Sequence, residues 1–495
     1  MIVRLHNLLS VGVLVAGLLA TGDAFVSRPS SAFSLLAGTQ TTTMPSVANV
    51  PFKILRAGAA SDDVPTDQEV DVVVIGSGLA GLSCGALLSH CDKSVCVLES
   101  HDAPGGCAHS WTRRGFHFES GPSLYSGFSS DESPNPLKNI FQIVGEDCEW
   151  ITYDRWGTVM PNGDKFAAKI GPEEFGDVLL AQGGEEAERE FAELMERMKP
   201  LSDAAQALTS LALREDPGVV LTLLLKYPKE LLQTLSQGKQ LNEPFSKVMD
   251  EMNIKNAFVK NWLDMLCFLL QGLPAAGTMN AVMAYMLADW YRPGVTLDWP
   301  VGGSGAIVDT LVRAIRKNKS SRVCMNAHVD EVLVGEDGQA CGVKLSDGRV
   351  VRAKTAVVSN ADPYITNNLL SRAKDAGKLS DDMVLYLEKQ VSTDSAKGGI
   401  ADLPSFIHIH AGIDATGLPE TPSADFPAQW AVIRDWDRGV EAPRNIVLCS
   451  MPSLIDPTMA PEGKHVLHAY TPATEPCKCI SLDSLDLYHY HLLTL

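Results

Sequence analysis

Positive charge is scarce in this chain: 41 Lys and Arg stand against 60 Asp and Glu, a net charge of −19. A nucleic-acid partner is excluded on that ground, because nothing would neutralise its phosphates; the acidity is that of a solvated surface. A disulfide framework is not expected either. The cysteines number 11, which is odd, and Cys84, Cys91 and Cys96 fall at helix and strand positions that suit small core residues. Cys477 and Cys479 are too close for a zinc knuckle, and no second pair follows. His408 and His410 share one face of a strand, but no third ligand is visible, so they read as structural and no metal is expected. A clean membrane span is missing as well. The apolar stretches Val219–Leu225 and Asn261–Tyr291 are bounded or interrupted by Lys226, Lys229, Asp264 and Pro274. What remains is an ordinary globular composition, 45% hydrophobic and 20% charged, in a length of 495 residues that accommodates two to four domains.

Acidic residues are also absent from Phe25 to Ala60, where Arg28, Lys53 and Arg56 sit among many Ser and Thr. Before that stretch, Arg4 and His6 precede an apolar run from Leu8 to Ala20 and a small-x-small site at Gly22-Asp23-Ala24. Residues 1–24 read as a signal peptide and 25–60 as a plastid transit-type segment. The junction Ala24-Phe25 resembles the presequences of algae with secondary plastids. A plastid location is expected, with a mature chain beginning near Ser61; a secreted protein is the alternative.

The strongest positive signal is Val72-Val73-Val74-Ile75-Gly76-Ser77-Gly78-Leu79-Ala80-Gly81, followed by Val95-Cys96-Val97-Leu98-Glu99. It reads as strand, Gly-rich turn, helix, strand and acid. Four apolar residues in a row suit a parallel strand buried on both faces. Gly76 permits the tight turn, Gly78 lets a pyrophosphate approach the backbone, and Gly81 lets the helix pack close to the strand. The helix N-terminus offers free N–H groups to phosphate, and Glu99 can accept the ribose hydroxyls of an adenine dinucleotide. The candidate cofactor-binding residues are thus Gly76, Ser77, Gly78, Leu79, Ala80, Gly81 and Glu99.

Pro104-Gly105-Gly106 lies just past the second strand, and Gly115-Phe116-His117-Phe118-Glu119-Ser120-Gly121-Pro122-Ser123 follows. This arrangement resembles the FAD-binding signature of the superfamily of flavin amine oxidases, phytoene desaturases and carotenoid isomerases. The resemblance adds Gly105 and Gly106 to the cofactor set and favours FAD over NAD. Trp299-Pro300-Val301-Gly302-Gly303 looks like the family segment that returns the chain to the FAD domain, ahead of a helix from about Ile307 to Lys317. Short strands are then expected at Asp330–Val334, Ala340–Leu345, Arg349–Ala353 and Ala356–Ser359, resembling the family's β-meander. By that resemblance the backbone of Val329 contacts adenine. Further strands are expected at Phe406–Ile409, Trp430–Ile433, Ile446–Pro452 and His465–Tyr470.

Together with Tyr291–Gly294, Met451–Pro457 and Ala460–His465, these segments make the chain look most like a carotenoid isomerase. The resemblance implies an α/β fold: a Rossmann-type FAD-binding domain (parallel sheet plus β-meander) with an inserted α+β substrate domain. The expected division is 70–124 and 297–363 for FAD, 125–296 for a mostly helical substrate- or membrane-facing segment, and 364–475 for the substrate sheet. It implies a flavoenzyme acting on a long apolar polyene at a plastid membrane surface, by isomerisation or desaturation. A retinol saturase-like or amine oxidase-like flavoenzyme is an alternative, and a flavin-free, prenyl- or protein-binding escort-like protein is one of another class. No acid or base is assigned; Arg113, Arg114 and His109 have ordinary surface explanations. No glycine follows Gly463, and residues 476–495 resemble nothing in the family. That tail is expected to be a misread chain end, and the real chain to be longer.

Overall fold

The computed structural model describes residues 61–66, 68–120, 124–130, 133, 135–207, 224–226, 228–392 and 405–473. The expected signal and transit segments, Gly121, Pro122 and Ser123, most of Val219–Leu225 and the tail lie outside the described residues.

Along the chain, β1 (Val70–Ile75), α1 (Leu79–His90) and β2 (Val95–Leu98) lead into a hairpin of β3 (Ser110–Arg113) and β4 (Phe116–Glu119). Then come β5 (Tyr125–Ser126), α2 (Pro136–Val144), β6 (Trp150–Tyr153), β7 (Arg155–Val159) and β8 (Lys165–Lys169). A helical stretch follows: α3 (Pro172–Ala207), α4 (Pro228–Leu241), α5 (Phe245–Glu251), α6 (Ala257–Gln271) and α7 (Asn280–Trp290). The chain returns through β9 (Leu297–Pro300), α8 (Gly305–Lys317), β10 (Arg322–Cys324), β11 (Val329–Val334), β12 (Ala340–Leu345) and β13 (Val350–Ser359). Last are α9 (Pro363–Leu369), α10 (Ser371–Asp375), α11 (Asp381–Gln390), β14 (Ser405–Asp414), β15 (Gln429–Ile433), β16 (Ile446–Ser450) and β17 (Lys464–Ala473).

The fold is α/β. One sheet has the order β10-β2-β1-β13-β12-β11. Its β10, β2, β1 and β13 run parallel, and the meander β11-β12-β13 is antiparallel. Both faces of β1 are buried, as its unbroken apolar run requires. Val72 and Val74 pack with Leu82 of α1 and with Ile307, Leu311 and Ile315 of α8. Val73 and Ile75 point the other way, into a core with Leu98, Val332 and Leu345. The expected strands Arg349–Ala353 and Ala356–Ser359 are one: Val350–Arg352 pairs antiparallel with β12, and Ala353–Ser359 parallel with β1. No glycine or proline separates the halves, so a single strand can change partner midway.

The second sheet has the order β14-β17-β16-β15-β7-β8. It combines strands from before and after the second dinucleotide segment, and β7 pairs parallel with β15. Leu448 and Ala431 of this sheet share a core with Trp262 and Leu266 of α6, Leu287 of α7 and Leu194 of α3. Helix α3 is kinked at Gly184, where φ is 73°. Pro274 and the left-handed Gly272 (φ 69°) separate α6 from α7. Helix α9 lies in the stretch assigned from sequence to the second sheet, yet its Leu369 is buried on the first sheet beside Val332 and Leu345. Cys96 is a core residue as expected, but Cys84 is half-buried and Cys91, at the C-cap of α1, is exposed. Among the described residues, no helix is long and apolar enough to cross a membrane.

Candidate functional site

The Gly-rich turn is assembled from backbone against backbone. Gly76 has φ 91°, and its N–H donates to the Leu98 carbonyl at 2.8 Å. Gly78 is the N-cap of α1, with no side-chain cap and no acid in the first turn, so the positive end of the helix is bare. A Cβ on Gly81 would overlap the Gly76 carbonyl oxygen. Gly78 also bridges Gly105 in parallel, and the Gly105 N–H donates to the Ser77 carbonyl at 2.9 Å. Gly105 (φ 119°) and Gly106 (φ 57°) both need the left-handed region, and a Cβ on Gly106 would come 3.1 Å from Gly78 Cα. Leu79 is half-buried against the α1–α8 core, whereas Ala80 faces solvent.

Glu99 closes the other side. Its Oε2 accepts from Ser77 N at 2.8 Å and Ser77 Oγ at 2.7 Å, and its Oε1 accepts from His101 N at 2.8 Å. Its backbone carbonyl accepts from Ala327 N at 2.7 Å, which brings the start of β11, and so buried Val329, to the end of β2. The structure thus gathers the Gly76–Gly81 turn, Glu99, Gly105 and Gly106 at the carboxyl ends of β1 and β2, with the segment leading to Val329 beside Glu99. These residues fit an adenine dinucleotide: bare helix amides for the pyrophosphate, a carboxylate for ribose, and backbone that side chains would obstruct. Glu99→Ala leaves the Ser77 and His101 amides without their acceptor and is expected to cost about 1–3 kcal/mol of stability. Urea denaturation checks this; an unchanged midpoint would refute the clamp.

Two carboxylates unassigned from sequence hold the neighbouring turn, Pro300–Ser304. Glu119, only 5% exposed, accepts from the Ser304 amide, and Asp456 Oδ2 accepts from Gly302 N at 2.7 Å. A Cβ on Gly303 would stand 2.7 Å from Glu119 Oε1. Burial, with a further push from Asp456, raises the Glu119 carboxyl to about 7. Tyr125 and Tyr153, both half-buried, have phenols pushed well above their ordinary range by desolvation. The sequence signal was present but weak: an acid just before Gly121-Pro122, and an Asp-Pro pair.

His109 is half-buried rather than a surface residue. Its Nδ1 lies 2.8 Å from the Gly106 carbonyl and 2.9 Å from Ser120 Oγ, so it braces the Gly-Gly loop. Arg113 and Arg114 are exposed at the β3–β4 turn.

From that hairpin an aromatic row runs along the second sheet. Trp111 meets His410 edge-on at 5.0 Å, His410 stacks on His468 at 4.4 Å, and His468 on Tyr470 at 5.1 Å. Phe406 continues from Tyr470 (5.7 Å) to Phe268 of α6 (5.6 Å). Beside Tyr470 lies a small, water-sized cavity lined by Leu124, Trp156, Leu269, Trp430 and Leu448. The sequence offered no third imidazole beside His408 and His410; the structure supplies His468, which stands opposite His410 in the β14–β17 register. A cross-strand partner 58 positions away leaves no local signal. Burial lowers all three imidazole pKa values, His410 to about 4, so the rings are uncharged at neutral pH.

Residues 74–143 match the family model described as an NAD(P)-binding Rossmann-like domain. Chloroplastic prolycopene isomerase 2 of an Oncidium hybrid cultivar is 29% identical over 422 residues, covering 84% of this chain and 66% of that protein. The chloroplastic prolycopene isomerase of Arabidopsis thaliana is 28% identical over 406 residues, covering 81% and 63%. The chain is thus similar over most of its length to chloroplastic prolycopene isomerases, and it contains an NAD(P)-binding Rossmann-like domain. It spans just under two thirds of the length of these isomerases. Human all-trans-retinol 13,14-reductase is 27% identical over 339 residues, covering 63% of this chain and 50% of that one. Among solved structures, an oxidoreductase from Methanosarcina mazei superposes with a TM-score of 0.53 at 18% identity, covering 86% of this chain and 83% of that one. A Pyrococcus furiosus protein gives 0.52 at 16%, covering 85% and 83%. At such identities these two show the fold alone.

Proposed function

We propose that this chain is an FAD-dependent enzyme that isomerises cis double bonds of a carotenoid polyene in a plastid. The observation that carries the reading is the Gly76–Gly81 turn clamped by Glu99, in a chain that follows prolycopene isomerases over more than four fifths of its length. Glu99 would take the adenosine ribose, the amides opening α1 the pyrophosphate, the loop at Gly105 and Gly106 the adjoining phosphate, and the Val329 backbone the adenine. FAD supplies a ring system that lends or accepts electrons. The protein's own part is to hold a long apolar substrate. The aromatic row from Trp111 to Phe268 would form one wall of the space that holds it.

The similarity to retinol reductase covers less of the chain, which favours isomerisation over reduction. A flavin-free escort-like role is disfavoured because the Glu99 clamp and the bare helix end serve a nucleotide. A plastid address is supported by the chloroplastic relatives and by the acid-free stretch before Ser61. Substrate entry from a membrane surface is supported by exposed Leu224 and Leu225. The test is the flavin-to-protein ratio of the purified chain, followed by a poly-cis-carotene under reducing conditions. Near-stoichiometric FAD and a product of unchanged mass are expected. Folded protein that binds no flavin would overturn the reading, and a product lighter by two hydrogens would make it a desaturase.

A further inference from the structure

We propose that His408, His410 and His468 form a binding site for one divalent transition-metal ion, zinc or a borderline metal of similar preference, at the β14 edge of the second sheet. His408 and His410 are two apart on the edge strand β14 and therefore share a face. His468 stands directly across from His410 on β17. One ring nitrogen from each lies within 4.8 Å of the others. A tetrahedral zinc ion, with bonds of about 2.0–2.1 Å, holds its ligand nitrogens about 3.3 Å apart, so side-chain torsions alone bring the three rings onto it. A two-apart pair of histidines on one strand with a third on the next is an economical way to present three imidazoles, because the sheet fixes all three backbones.

Two further observations point to a cation. His410 Nδ1 is buried and has no hydrogen-bond partner among the described residues, an arrangement that costs free energy unless something binds there. His408 Nδ1 and His468 Nε2 lie 2.9 Å apart, so one ring donates its N–H to the other. Metal binding shifts that ring proton to the ring's other nitrogen and frees both lone pairs, with no proton gained or lost. The donor set is all nitrogen, which suits zinc and its borderline neighbours and not calcium or magnesium, which take oxygen. His408 is the exposed member and gives the ion an entry path. Trp111, from the hairpin that follows the Gly-Gly loop, packs edge-on against His410 and closes the inner side. Three ligands leave a fourth position open to water or to an oxygen-bearing ligand.

The experiment uses the whole chain, purified without a histidine tag, stripped with chelator and titrated with Zn²⁺ and Co²⁺. The expected result is one ion per chain by elemental analysis, visible Co²⁺ bands of four-coordinate intensity, and a raised melting temperature. His408→Gln should remove the bands, and its metal-free melting temperature, measured alongside, shows that the variant still folds; His410→Gln supplies a second ligand test. Absence of stoichiometric binding, or binding that survives both substitutions, would overturn the site and leave the three rings as an aromatic wall only. The readout does not involve flavin, so the outcome is independent of the proposed function.

Discussion

Replacing Gly81 by alanine is expected to destabilise the protein and strip it of flavin, although alanine is the better helix former. At an unencumbered helical position the exchange gains about 1 kcal/mol. Gly176 in α3 is such a position, with nothing within 4 Å of an added Cβ, and Gly176→Ala should stabilise by about that amount. At Gly81 the same methyl overlaps the Gly76 carbonyl oxygen and comes 3.1 Å from Asn360 Cβ. Neither neighbour can retreat easily. Gly76 is tied to Leu98, and Asn360 N donates to the Ile75 carbonyl at 2.8 Å, so both belong to the ends of central strands. Helix α1 must therefore lift away from β1, at an overpacking cost of about 1–3 kcal/mol. The lift also displaces the amides that face the pyrophosphate, and a loss of about 1.4 kcal/mol there lowers affinity tenfold. Melting temperatures of the flavin-free proteins and flavin retained after dialysis report the two effects. A Gly81→Ala protein as stable as the parent with full flavin would mean that the helix does not pack this closely.

The parts of the fold that were legible in the sequence are those whose physics is local. Val72–Ile75 announces a strand buried on both faces, and the glycines after it announce a close approach, because one strand, one turn and one helix suffice to create the need. The meander was legible for the same reason, since Gly338 and Gly348 mark its turns. What could not be read is what the chain assembles from distant pieces. β7 carries no sign that β15 will pair with it in parallel. The third imidazole at His468 and the carboxylates Glu119 and Asp456 on the Pro300–Ser304 turn depend on contacts between segments far apart. Leu369 reads as an ordinary helical leucine, and only the packed structure assigns it to the first sheet.

These distant contacts also explain how the two halves of the site stay in register. The Gly-Gly loop touches the Gly-rich turn through Gly105 N and the Ser77 carbonyl. Past His109 and Ser120 the same segment becomes the β3–β4 hairpin, whose Trp111 and Phe118 reach His410 on the second sheet. A short, hydrogen-bonded piece of backbone thus joins the cofactor loop to the aromatic row.

The second large effect concerns Glu119. Its folded-state carboxyl titrates at about 7, against 4.5 when unfolded, because burial disfavours the anion. The folded protein thus holds this proton more tightly than the unfolded chain. The resulting stability is fully present below pH 4.5, falls as the pH rises toward 7, and is gone above it. The full span corresponds to about 3 kcal/mol. Glu119→Gln keeps an oxygen for the Ser304 amide and removes the ionisation. The variant should match the parent near pH 4.5 and exceed it by up to about 3 kcal/mol at pH 8. Taking the difference between the two proteins cancels the other carboxylates, including Asp414, whose bond to Lys464 shifts it the opposite way. Glu119→Ala removes the acceptor as well and leaves the buried amide unpaired, so it should fall below Glu119→Gln by about 1–3 kcal/mol at every pH. Urea denaturation at pH 4.5, 6 and 8 separates the three proteins. Parallel pH curves for parent and Glu119→Gln would show that Glu119 is charged in the fold, and its grip on the turn opening α8 would then be that of an anion at a helix N-terminus.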